Sequence, residues 1–200
     1  MKKELEENLS VLCTNTMKQP LLETKISLTE GVEASMDASV LVVKGPKGEV
    51  KRDFFSPTIK LLVKDGEIIV SAINATKREK KLLNTFVAHV KNMQNGVLEG
   101  VVYELKICAG HFPMTVTVKD NTLVVKNFIG EAVNRVLKIR DGVSVKVDGE
   151  QIIVEGVEKE LVGQTAADIE LLCRRPGFDK RIFQDGIYII TKNGKDLRIG

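Results

Sequence analysis

Side chains able to move protons, attack carbonyls or hold metals are few in this chain and widely scattered. It has two histidines, His89 and His111, and three cysteines, Cys13, Cys108 and Cys173. Catalysis needs a nucleophile or metal with positioned acid and base groups, and only Cys108-Ala-Gly-His111 brings two such residue types close together in sequence. A zinc ion there requires two more ligands, for which only the distant Cys13 and Cys173 offer thiolates. The plainer expectation for the same segment is a turn between two strands. His89 falls beside the apolar stripe of a helix, where a half-buried structural role outweighs catalysis. Three widely spaced cysteines form neither a disulfide framework nor paired CxxC knuckles, and fit a reducing cytoplasm. We therefore expect no catalytic residue, no metal and no cofactor.

The cations are better placed to act. Lys44-Gly-Pro-Lys-Gly48 combines backbone freedom with positive charge, as phosphate cradles do, but it lacks the spacing of a Walker A loop and runs on through Glu49-Val-Lys-Arg52 into another strand. It reads as a basic hairpin tip, and Lys44, Lys47, Lys51 and Arg52 suit RNA phosphates equally well. Lys77-Arg-Glu-Lys-Lys81 sets cations near the positive end of a helix, an arrangement that a nearby polyanion would favour. From Arg174 onward there are seven basic residues against three acidic ones, an excess of four in a chain whose formal net charge is +3. Charge is therefore concentrated in the tail. Arg174-Arg-Pro-Gly-Phe-Asp-Lys-Arg181 interleaves cations with an aromatic in a loop broken by Pro and Gly, and Ile182 to Ile190 reads as a short strand or turn. Guanidinium groups grip phosphates and stack on bases, with Phe178, Phe183 or Tyr188 as further stacking faces. The alternative is that Phe183 and Tyr188 fill a core and the arginines are merely solvated.

Elements must hold these residues in place, and the chain builds them twice. Leu41-Val-Val-Lys44 returns as Leu123-Val-Val-Lys126 and Gly48-Glu49 as Gly130-Glu131, both 82 residues on; Asp65-Gly-Glu67 returns as Asp148-Gly-Glu150 after 83. Each Asp-Gly lies between β-rich runs and signals a tight hairpin. A helix follows each hairpin. The first opens on a capping box, Thr76-Lys-Arg-Glu79, carries Leu82, Leu83, Phe86, Val87, Val90 and Met93 at helical spacing, and is expected to stop at Asn95-Gly96. The second runs from about Lys159 to Arg174, with Leu161, Thr165, Ile169, Leu172 and Cys173 on its apolar side and no clear cap. Shorter alternating runs precede each hairpin, at 32–36 with 39–44 and at 114–118 with 122–126. This is α+β: two tandem copies of one fold, each an antiparallel β assembly packed on one α-helix. The expected division is an N-terminal extension at 1–20, a first repeat at 21–96 and a second at 97–200 with the basic tail. In the extension Leu5, Leu9 and Leu12 line one side of a short helix closed by Pro20, packed, frayed or docked on a partner.

The 200 residues, 43% hydrophobic and 28% charged, have ordinary globular composition, which excludes a wholly disordered chain. No run approaches the roughly 18 apolar residues of a membrane helix, and Met1-Lys-Lys-Glu-Leu-Glu-Glu7 is unlike a signal peptide. A cytoplasmic location is expected.

Arg181-Ile-Phe-Gln-Asp-Gly-Ile-Tyr-Ile189 followed by Lys192 resembles the C-terminal signature of the archaeal and eukaryotic branch of the universal large-subunit ribosomal protein six family. So do Val43-Lys-Gly-Pro-Lys-Gly48, Asn92-Met with Gly96-Val and Gly100, His111-Phe-Pro-Met114, and Val162-Gly-Gln-Thr-Ala-Ala-Asp-Ile169. The likeness spans roughly residues 21 to 192, with Phe178 standing where the family usually has a basic residue. It implies a non-enzymatic constituent of the large ribosomal subunit, bound to large-subunit ribosomal RNA near the sarcin-ricin region where translation factors dock, with neighbouring ribosomal proteins as further partners. It implies RNA contact at Arg174, Arg175, Lys180, Arg181 and Lys192; contact at Lys44, Lys47, Lys51 and Arg52 rests on their charge and setting alone. Two rival classes remain open at this stage: a small enzyme using Cys108 or His111, and a protein-interaction module.

Overall fold

The computed structural model describes residues 19–64, 66–179 and 181–197. Expectations resting on Leu5, Leu9, Leu12, Cys13, Asp65, Lys180 and Arg198 lie outside the described residues. The first half contains β1 (Gln19–Ser27), β2 (Glu33–Asp37), β3 (Val40–Gly45), β4 (Gly48–Asp53), β5 (Ile59–Lys64), β6 (Glu67–Ala75) and helix α1 (Lys77–Leu98). The second contains β7 (Val101–Cys108), β8 (Thr115–Lys119), β9 (Thr122–Lys126), a 3-10 turn at Phe128–Gly130, and β10 (Arg135–Lys138). It continues through β11 (Val143–Asp148), β12 (Gln151–Gly156), helix α2 (Lys159–Leu172), β13 (Gly186–Lys192) and β14 (Lys195–Asp196).

The duplication appears directly in the sheets. In the first copy the strand orders are β1-β6-β5 and β2-β3-β4; in the second they are β7-β12-β11 and β8-β9-β10, with β13 and β14 added at the free edge of β7. The repeated Leu-Val-Val-Lys segments are the two central strands β3 and β9. Alternation buries Leu41 and Val43 in one and Leu123 and Val125 in the other, because successive side chains of a strand point to opposite faces. The repeat is thus read at its most constrained positions.

The first hairpin closes on the pair Lys64 and Glu67. The second differs from expectation: Asp148 pairs with Gln151, so the two-residue loop is Gly149-Glu150, with Gly149 at φ +56°. Asp148 ends the strand instead of turning the chain. The β8–β9 turn is Asp120-Asn121, with both residues at positive φ, as a tight primed turn demands. β1 is a further correction, since it begins at Gln19 and pairs with β6 through Ala75. Pro20 therefore lies in an edge strand, where a missing N–H is tolerated, and does not close the extension.

Helix α1 starts at the expected capping box. The Thr76 N–H donates to the Glu79 carboxylate at 2.9 Å, the Thr76 hydroxyl donates to it too, and the Arg78 N–H reaches that hydroxyl at 3.3 Å. These bonds hold the Glu79 carboxyl below the usual carboxylate range, the hydroxyl's being the largest cause. Leu83, Val90, Met93 and Val97 are buried, and Phe86 meets Phe54 edge-on at 5.1 Å, but Leu82 is exposed. The expected stop at Asn95-Gly96 is wrong. The helix runs through Gly96 to Leu98, because Gly96 serves a close approach: a Cβ there would lie 2.2 Å from the Val157 carbonyl oxygen. Gly100, at φ +78°, supplies the left-handed residue that ends the run. α2 stops at Leu172, two residues short of expectation, and its N-cap Glu158 makes no side-chain capping bond.

Two compact units emerge. One takes its described residues from 1–42 and 51–91, the other from 43–50 and 92–200. The tip of the β3–β4 hairpin belongs with the second unit, where the Lys47 N–H donates to the Val97 carbonyl at 2.9 Å. The second unit's core runs from Val101 to Ile187 and includes Leu105, Leu123, Phe128, Ile152, Ile169 and Cys173.

Candidate nucleic-acid interface

The chain leaves α2 at Leu172, turns at Pro176-Gly177 and enters β13 at Gly186. A loop this long carries little secondary structure of its own, so side chains must hold it. Arg135 does most of this. Its Nε and Nη2 donate to the two Glu131 carboxylate oxygens at 2.8 and 2.7 Å, and its Nη1 donates to the carbonyls of Leu172 at 2.6 Å and Arg174 at 3.2 Å. Carbonyls at a helix C-terminus have no partner within the helix, and a guanidinium there satisfies them and opposes the negative end of the dipole. The same guanidinium lies 4.3 Å from the Phe128 ring centroid. Hydrogen bonding to Arg135, above all else, holds the Glu131 carboxyl below the usual range and raises Arg135 above its own.

Glu131 also faces Arg175 at 3.8 Å, and Arg175 lies over Phe178 at 4.3 Å. Phe178 meets Phe183 edge-on at 4.9 Å, and Phe183 lies against His111 at 5.1 Å. Asp185 fastens the far end. Its carboxylate is almost wholly buried and accepts from the N–H groups of Gly110 and His111 and from the His111 ring Nδ1 at 3.2 Å. Within the loop, the Asp179 carboxylate accepts from the Arg181 N–H at 2.9 Å and its carbonyl from the Phe183 N–H at 2.9 Å. Beneath it, burial pushes the Cys173 thiol up to about 11 and raises the Tyr188 phenol.

This framework presents the expected cations unequally. Arg174 is exposed, and the Arg181 side chain is 94% exposed with Asp179 3.9 Å away. Arg175 is half-buried and partly spent on Phe178 and Glu131. Lys180 lies outside the described residues. Lys192 is exposed at the end of β13, opposite Lys195, on a different element from the loop. At the hairpin tip Lys44 faces Glu49 at 3.7 Å, and Lys47 is exposed; Lys51 and Arg52 group with the other unit, Arg52 lying 3.4 Å from the His89 ring and 6.0 Å from the Phe54 ring centroid. Phe183 and Tyr188 are half-buried and support the loop, but neither belongs to the buried core cluster.

Sequence reasoning missed Glu131, Arg135 and the role of Asp185. The first two are four residues apart, a spacing that signals pairing only on a helix, and Asp185 entered only as an acidic residue of the tail and a member of the Arg181–Ile189 signature. Cys108 ends β7 and His111 lies in the following turn, as the plainer reading of that segment had it. Among the described residues no group of three His, Cys, Asp or Glu side chains converges as a metal ion requires, and no helix is long and apolar enough to cross a membrane.

Fold and loop together define a duplicated α+β protein that presents cations on a braced loop. A sequence profile of the family described as Ribosomal protein L6 matches residues 28–100 and 112–186, one copy each. The chain is 47% identical over 167 residues to the "Large ribosomal subunit protein uL6" of Methanosarcina mazei, covering 84% of this chain and 95% of that protein. It is 42% identical over 177 residues to the protein of the same name from Methanococcus vannielii, covering 88% of this chain and 97% of that one. The chain belongs to the ribosomal protein L6 family. It is accordingly a structural ribosomal protein and not an enzyme, which removes the reading of Cys108 or His111 as a reactive group.

Proposed function

We propose that this chain is a structural constituent of the large ribosomal subunit. It binds large-subunit ribosomal RNA near the sarcin-ricin and factor-binding region and supports translation on cytoplasmic ribosomes, beside neighbouring ribosomal proteins. The observation that carries this reading is the near full-length identity of 47% to a protein named for the large subunit. The loop after α2 supplies the principal contact. Arg174 and Arg181 present exposed guanidinium groups, Arg175 lies over the Phe178 ring and Lys180 lies between Arg175 and Arg181 in sequence. Lys192 adds a further contact, and Lys44, Lys47, Lys51 and Arg52 supply weaker ones. The two repeats, 21–96 and 97–200, act as folding units, the second bearing the RNA loop.

The test is the salt dependence of binding between the chain and large-subunit RNA. Four phosphate contacts release counterions to give a slope of log affinity against log salt of roughly −3 to −4. Arg181→Ala is expected to reduce that slope by about one and leave the melting temperature nearly unchanged. If alanine at Arg174, Arg175, Lys180 and Arg181 together leaves affinity and slope unchanged, the RNA surface lies elsewhere, and the hairpin tip is the next candidate. Failure to co-sediment with large subunits would overturn the assignment itself.

A further inference from the structure

Beneath the loop after α2 lies a cavity of about 200 Å³ whose lining includes Glu170, Arg175, Phe178, Phe183, Gly186 and Tyr188. It is smaller than the roughly 300–1,000 Å³ typical of drug-sized ligands. Its walls combine aromatic rings and a guanidinium with one carboxylate that the loop does not use. Phe178 and Phe183 stand edge to face, so the two rings offer surfaces in different planes. Glu170 is half-buried near the end of α2 and makes no ion pair or side-chain hydrogen bond among the described residues, while its charge acts on the Tyr188 hydroxyl.

A carboxylate next to Arg174 and Arg175 opposes phosphate binding, so an RNA loop gains nothing from it electrostatically. It does supply two acceptors and no donor. The ligand that fits must be flat and largely apolar on its faces, and must carry two donors on one edge. Guanine meets this requirement, because its N1–H and exocyclic amine point the same way and can reach both oxygens of one carboxylate. Adenine, cytosine and uracil present no such pair of donors. We propose that this cavity receives one unstacked guanine of the bound RNA, held against Phe178 and Phe183 and hydrogen-bonded by Glu170, while the surrounding cations hold its flanking phosphates. Single-stranded and bulged RNA is recognised by such splaying and stacking of bases. The inference rests on the RNA-binding reading above and adds base selectivity to a surface otherwise read as a phosphate clamp.

The experiment uses the full chain, protein-free large-subunit RNA and kethoxal, which modifies the N1 and N2 edge of unpaired guanine. One guanine is expected to be protected by the unaltered chain and to become reactive again with Glu170→Gln at saturating protein. Glutamine keeps the shape but replaces one acceptor with a donor. Affinity is expected to fall about fivefold for Glu170→Gln, with the salt slope unchanged, and about tenfold for Phe178→Ala. If both variants protect the same guanines with unaltered affinity while Arg181→Ala still flattens the salt dependence, the cavity holds no base and the phosphate reading stands alone. A loss confined to Phe178→Ala also counts against the proposal, since the ring braces the loop. Should the unaltered chain fail to bind the RNA, both readings fall.

Discussion

Arg135 is the residue on which the tail most depends, because a single guanidinium joins Glu131, two carbonyls at the end of α2 and the face of Phe128. Removing it leaves those groups without their charged partner, and hydrogen bonds to charged groups contribute about 1.5–3 kcal/mol each. Arg135→Ala is therefore expected to lower stability by on the order of 2 kcal/mol, and to weaken RNA binding although Arg135 itself touches no phosphate in this reading; chemical denaturation and RNA titration measure the two effects. The pair also sets an acid limit. Because Arg135 holds the folded Glu131 carboxyl below the usual range, folding releases its proton more readily than the unfolded chain does. Its stabilisation is present above the unfolded carboxylate value and is lost as pH falls through the lower folded one. Glu131→Gln should flatten the acid side of a plot of melting temperature against pH. Cys173 has the opposite sign: burial lifts its thiol to about 11, so its contribution holds below the ordinary thiol range and disappears as pH rises through that value. At neutral pH Cys173 should react far more slowly with maleimide than half-buried Cys108, as peptide mapping would show. Of this, only the burial of Cys173, read on the apolar side of the second helix, was legible in the sequence. The cationic loop was visible as composition, whereas its bracing residues come from the start of β10 and the segment just before it and from the turn after β7, and only tertiary structure brings them together.

At the scale of elements, local chemistry was legible where it was self-contained. Thr76 to Glu79 forms its capping bonds within one turn, and the Leu-Val-Val-Lys segments alternate within one strand, so each could be read from neighbours alone. The end of α1 could not. Asn95-Gly96 has the composition of a helix stop, but the glycine answers to Val157, distant in sequence, and the helix continues. β1 was missed because Pro20 looks like a terminator until its strand is seen at a sheet edge. The Gly96 assignment has a sign that decides it. At a solvent-facing helical position, Gly→Ala stabilises by up to about 1 kcal/mol. At Gly96 the added methyl would meet the Val157 oxygen at 2.2 Å, so Gly96→Ala should instead destabilise by about 1–3 kcal/mol, seen as a lower urea midpoint at constant m-value. Thr76→Ala should cost about 1 kcal/mol through loss of the cap. A stabilised Gly96→Ala would mean that the helix end and the chain at Val157 do not pack as described.

For the whole molecule, the duplication explains both what the sequence disclosed and what it concealed. Two copies of one sheet-and-helix plan leave repeats at an offset of 82, which is why the fold class was readable without knowing any contact. The division between copies was less accessible, because 43–50 lies in the first copy by sequence but groups with the second unit in space. The cause is local: the Lys47 N–H bonds to the Val97 carbonyl, and Gly45, with no Cβ, fits against Val97 where a methyl would lie 2.9 Å from it. A chain cut at residue 96 removes this hairpin tip from the second unit. It does not remove the core, whose buried members all lie between Val101 and Ile187. A fragment of residues 96–200 should therefore melt as one cooperative transition, with coincident far- and near-ultraviolet dichroism curves. It should melt several degrees below the same fragment supplied with the 43–50 hairpin through a short linker, because the tip satisfies the Val97 carbonyl and covers its side chain. If the fragment stays unfolded while the full chain folds, the second copy needs the first for its core, and independent folding units at 21–96 and 97–200 are excluded. If it folds but gains nothing from the restored hairpin, the tip contributes to RNA contact or to nothing, and its place in the second unit carries no energetic weight.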